Sequence, residues 1–82
     1  MNHNLKCIEP YFTKVAEGVK CFEVRKFDRD FKVGDTLTLQ RYDNGEFTGV
    51  EVRVVVDYIL YGGEFGIDKD YCVMSIRIIT NE

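Results

Sequence analysis

Lys20, Glu23 and Arg25 stand within six residues of one another, in the run Gly18-Val19-Lys20-Cys21-Phe22-Glu23-Val24-Arg25. Two cations around one carboxylate suit phosphates and polar groups of a ligand. Lys20 and Arg25 would neutralise phosphates, Arg25 through a two-pronged contact. Glu23 would accept hydrogen bonds from an exocyclic amine or a ribose hydroxyl. Tyr11, Phe12 or Tyr61 would offer a ring for an unpaired base. Charged side chains on a strand need solvent, a partner or a ligand, because burying them unpaired is strongly unfavourable. The same residues also read as an ion-pair network. Glu23 and Arg25 would then bond each other, or Arg29, Asp30 or Asp35, and hold residues 27–34 against the body of the fold.

Other polar side chains are weaker candidates. Asp35 follows Gly34 and reads as a turn residue whose carboxylate caps local amides. His3 reads as exposed and idle. Lys6 reads as solvated, on a strand that runs beside the cleft. Cys7, Cys21 and Cys72 are odd in number and lack C-x-x-C spacing. All three sit among apolar residues on expected strands, as buried reduced thiols do. Cys21 has no neighbouring His and is a poor nucleophile, although Lys20 would lower its pKa if the thiol were exposed. A zinc site wants four ligands, and His3 is the one imidazole of the chain, so neither metal nor cofactor is expected.

The elements that must position these residues follow from periodicity and breakers. Residues 5–8 read as a short strand that Glu9-Pro10 ends. Residues 11–17 read as a helix with Phe12, Val15 and Ala16 at helical spacing, closed by Gly18 in a left-handed cap. Residues 21–26 read as a strand on which Glu23 and Arg25 share one face, opposite Phe22 and Val24. A one-residue register slip would move Lys20 or Glu23 to the other face. Residues 27–34 form a polar connection anchored by Phe27 and Phe31. Val33-Gly34-Asp35 launches a strand over 36–42, and Asp43-Asn44-Gly45 signals a hairpin turn. Residues 47–60 read as a long strand bent near Gly49. One face carries Val52, Val54, Val56 and Tyr58; Glu51, Arg53 and Asp57 occupy the other. A glycine-rich loop over 61–70 precedes the last strand, 72–79.

One helix and about five strands in 82 residues predict a single α+β domain over 1–82, built on a small, partly closed β-barrel that protects its strand edges. With 45% hydrophobic and 30% charged residues the chain has a globular composition. Its net charge of −3 argues against a general polyanion binder. Yet residues 1–41 hold eight of the eleven Lys and Arg and six of the fourteen acids, so the first half is mildly basic. No apolar run has bilayer length, and the first residues lack the apolar centre of a signal peptide, so a cytoplasmic protein is expected.

The order strand, helix, Gly-x-Lys-x-x-Glu-x-Arg, then Val-Gly-Asp opening a strand resembles the ASCH domains of the PUA-like superfamily. More narrowly, it is similar to a group of small bacterial and phage ASCH-like domains of unknown function. His3, Leu5-Lys6, Tyr11-Phe12, Gly18, Lys20, Phe22-Glu23 and Arg25 carry the match, with Asp28-Arg29-Asp30-Phe31, Val33-Gly34-Asp35, Leu37 and Leu39. The resemblance implies a PUA-like pseudobarrel with a cleft between barrel and helix, and a role in binding RNA or a nucleotide-like ligand. The expected ligand-binding residues are Lys20, Glu23 and Arg25, with Lys6 and Arg29 beside them.

Some ASCH proteins resemble amidohydrolases of acylated cytidines that use a Lys, a Thr and a Glu. The Thr slot of that pattern, three residues after the Lys, is Glu23 here. An enzyme reading therefore leaves Lys20 and Glu23 as the catalytic pair, with Glu23 activating water and Lys20 stabilising an oxyanion. A third reading is a protein-interaction domain that presents an aromatic patch over residues 58–65.

Overall fold

In β1 (Asn2–Ile8) every second side chain is buried: His3, Leu5 and Cys7 point inward. This is the period of a strand with one face on a core. Helix α1 (Tyr11–Ala16) buries Phe12 and Val15. It ends as its sequence dictates. Gly18 adopts φ +76°, its N–H bonds Val15 O, and Val19 N–H reaches back to Lys14 O. That pair of bonds is a Schellman cap. The chain continues through β2 (Phe22–Lys26), β3 (Thr36–Asp43), β4 (Glu46–Tyr61) and β5 (Tyr71–Ile78). The structure, a computed structural model, describes residues 1–79.

The five strands form one mixed sheet in the order β1-β3-β4-β5-β2. β1 runs parallel to β3, and the other pairings are antiparallel. The sheet curls into a half-barrel until its two edge strands face each other. There the Arg25 Nη2 of β2 donates to the Lys6 carbonyl of β1 at 2.7 Å. Leu37, Leu39, Val54, Val56, Cys72 and Met74 line the inside, and Phe31 folds in from the loop after β2. Helix α1 packs on β1 and β3. The Asn44-Gly45 turn has positive φ at both residues, the geometry that two-residue hairpins favour.

Two strands depart from the expected pattern. In β4 the pairing slips between Val56 and Tyr58. This bulge turns Tyr58 outward and gives its inward place to Ile59. A second slip, between Gln40 and Tyr42 of β3, falls level with Gly49, where a bend is expected from the sequence. In β2 the apolar side chains Phe22 and Val24 are the exposed ones, while Glu23 is buried at 3%. Cys21 lies before the strand and is exposed, so it is not the buried strand thiol expected. Phe12 belongs to the core and presents no ring to a ligand.

Candidate functional site

A cavity of about 570 Å³ occupies the seam where the barrel stays open. β1 supplies Lys6, Cys7 and Ile8, the start of α1 supplies Tyr11, and the chain from Lys20 to Arg25 supplies the facing wall. Four of the five expected ligand residues, Lys6, Lys20, Glu23 and Arg25, thus line one cavity. Arg29 does not. It is exposed in the loop after β2, away from the lining, and Asp30 pairs with Lys32 instead.

Glu23 is the hub. Its Oε1 accepts from Lys20 Nζ at 2.9 Å and its Oε2 from Arg25 Nε at 3.0 Å. Lys20 Nζ also donates to Phe22 O at 2.7 Å. A buried carboxylate with a cation on each oxygen satisfies the rule that buried charge must be paired. It also explains β2: turning Phe22 and Val24 outward is the register that brings Glu23 between its two cations. Of the partners expected in the network reading, Glu23 and Arg25 pair with each other, and Arg29, Asp30 and Asp35 take no part. With Lys6, three basic residues and one acidic residue line the cavity of an acidic chain. Lys6 Nζ lies 4.6 Å from the centre of the Tyr42 ring and makes no ion pair among the described residues.

Cys7 lies in the floor. Burial pushes its thiol up to about 11, and the charge of Glu23 adds to that, against the opposing pull of Arg25 and Lys20. A thiol so held is an apolar wall and not a nucleophile. Sequence reasoning missed Cys7 and Ile8 as parts of the site. The parallel pairing of β1 with β3 sets Ile8 beside Tyr42, and nothing local in the sequence announces a parallel partner 34 residues away.

Two polar clusters outside the cavity hold its walls. His3, expected to be exposed, is buried, and its Nε2–H donates to Asp35 Oδ2 at 2.8 Å. The His3 ring packs edge-on against Phe31. Asp35 also accepts from the amide of Lys32, the turn cap expected of it, and from the Met1 amine. The bond from His3 holds the Asp35 carboxyl below its ordinary value, with burial opposing and the Met1 and Lys32 donors assisting. Glu9 accepts from Arg41 Nε at 2.6 Å and from the Thr13 hydroxyl and amide. Arg41 first, then Thr13, hold the Glu9 carboxyl at about 2. Among the described residues no cluster of three or more His, Cys, Asp and Glu is arranged to hold a metal. No helix among them is long and apolar enough to cross a membrane.

Fold and site together define a small α+β half-barrel with a cationic cleft at its open seam. The chain belongs to the family described as Domain of unknown function (DUF3850), whose model matches residues 2–76. It is similar to the "Uncharacterized 12.9 kDa protein in GpA 3'region" of Escherichia phage P2, with 46% identity over 54 residues. That match covers 63% of this chain and 50% of the phage protein, so the chain spans about half the length of this relative.

Proposed function

We propose that the chain is an ASCH/PUA-like domain that binds RNA or a nucleotide-like ligand in the seam cleft. The observation that carries this reading is the convergence of Lys6, Lys20 and Arg25 on one mostly apolar cavity rimmed by the exposed rings of Tyr11 and Phe22. Cations beside rings suit a ligand that has both phosphate and base. The hydroxyl-free hydrolase arrangement finds less support. Both Glu23 oxygens already accept charge-assisted hydrogen bonds, so a water would compete with Lys20 and Arg25 for the base.

The test is an NMR titration with nucleosides, nucleotides, acylated cytidines and short single-stranded RNAs, run with Lys20→Ala, Arg25→Ala and Glu23→Gln. Shifts should cluster on the cavity lining. Affinity should fall with salt, and each alanine substitution that removes a phosphate contact should lower the salt slope by about one. Unchanged affinity in both alanine variants would sink the reading. Release of a carboxylic acid from acylated cytidine by wild type, but not by Glu23→Gln, would establish the hydrolase in its place.

A further inference from the structure

The outward face of the sheet is of two kinds. Beside β3 and the adjoining part of β4 it carries Thr36, Gln40, Glu51 and Arg53, the polar set of a solvated face. Across the far part of β4, β5 and β2 it changes character. There Tyr58 stands opposite Ser75, and Ser75 opposite Phe22; in the next row Leu60 stands opposite Val73, and Val73 opposite Val24. Tyr58 is 65% exposed, Val24 51% and Phe22 46%. A bulge in β4 and the register of β2 make this face. The bulge before Tyr58 turns its ring out, and the demand of Glu23 for its cations turns Phe22 and Val24 out. Strands lie about 4.8 Å apart, so the two rings rise from points about 10 Å apart with only Ser75 between them.

We infer that this face is a stacking track for single-stranded nucleic acid, which leaves the seam cleft over Phe22 and crosses to Tyr58. The inference rests on the nucleotide reading of the cleft. Phe22 and Val24 line the cavity as well as the face, so a polymer seated by one nucleotide in the cleft emerges onto these rows. Charge favours the same occupant. Lys20 Nζ lies 4.8 Å from the Phe22 ring centre, and Lys26 is exposed beside Tyr71 with no ion pair among the described residues. Asp57, in the bulge before Tyr58, is held by both arms of Arg77 at 3.0 and 3.1 Å. Exposed rings beside the cations Lys20 and Lys26 suit a polyanion with exposed bases.

Fluorescence anisotropy with a mononucleotide and a short single-stranded RNA of the same base tests the track, on wild type, Tyr58→Ala, Tyr58→Phe and Lys20→Ala. The RNA should bind more tightly than the mononucleotide. Tyr58→Ala should weaken the RNA about tenfold and leave the mononucleotide unchanged, while Tyr58→Phe keeps the RNA affinity. The exposure of Tyr58 makes its truncation tolerable to the fold, which a melting curve checks. Mononucleotide binding with RNA indifferent to Tyr58 overturns the track and leaves the cleft standing. RNA binding that needs Tyr58 but not Lys20 overturns the cleft and supports the track, and binding of neither ligand overturns both. Self-association lost in Tyr58→Ala, with RNA affinity unchanged, makes the face a protein interface and overturns the track.

Discussion

Glu23 and Asp35 are both buried carboxylates, and each organises its surroundings by accepting from several donors. Glu23 joins Lys20 to Arg25 and so sets the wall of the cleft. Asp35 joins β1 to the turn before β3 through His3 and Lys32. Because His3 and its other donors depress the folded-state value of Asp35, the carboxylate stabilises the fold fully above its unfolded value near 3.8. That stabilisation is lost as pH falls through the folded value. Asp35→Asn should therefore lower the melting temperature at neutral pH and flatten its acid decline, a difference that melting curves from neutral to acid pH will read. An equal acid decline in both proteins would mean that Asp35 is not the linked group. The local spacing of Lys20, Glu23 and Arg25 made the cluster visible in sequence. His3 gave no such signal, since its partner lies 32 residues away.

Among the elements, α1 is the least self-sufficient. Six residues are too few to hold a helix in water, so its packing and its anchors decide. Glu9 is the anchor: it accepts from Thr13 within the first turn and from Arg41 on β3. Its folded value of about 2 lies below the ordinary 4.5, so the anchor is intact above about 4.5 and is lost as pH falls toward 2. Amide resonances of α1 should report this, moving between those limits ahead of the sheet core in wild type. In Glu9→Gln they should already be shifted at neutral pH and move little on acidification. If wild-type α1 and the centre of β3 and β4 titrate together, the anchor is not local. The ends of this helix were legible because Pro10 and Gly18 act through backbone dihedrals alone. The bulge in β4 was not, since Val56-Asp57-Tyr58 continues the alternation without a break.

At the scale of the whole molecule the governing fact is an unclosed barrel. β1 and β2 are sheet edges, and Arg25 reaches from one to the carbonyl of the other. Edges left open invite pairing with other chains, and a guanidinium laid across the gap blunts that hazard while leaving a cavity beside it. Arg25→Met keeps side-chain bulk but removes the bridge and one cation from Glu23. Hydrogen exchange should then accelerate in β1 and β2 by about tenfold, the effect of losing a hydrogen bond worth about 1.4 kcal/mol, with the β3–β4 centre unchanged. Uniform acceleration everywhere would show that Arg25 supports global stability and not the seam. The same opening explains how an acidic chain presents a cationic site: curling the sheet gathers Lys6, Lys20 and Arg25 around a single acid.

Sequence by itself determined the alternating strands, the capped helix, the Asn-Gly turn and the cluster of Lys20, Glu23 and Arg25. Each depends on residues within a few positions of one another, through backbone dihedrals, side-chain period or adjacency. Only the tertiary structure decided which face of β2 turns inward, that Lys6 joins the cleft, that Arg29 stays out of it, and that His3 is buried on Asp35. Those outcomes depend on which distant strands become neighbours. On β2 the need of one buried carboxylate for two cations outweighed the exposure of Phe22 and Val24, a balance between burial and charge pairing that no local pattern encodes.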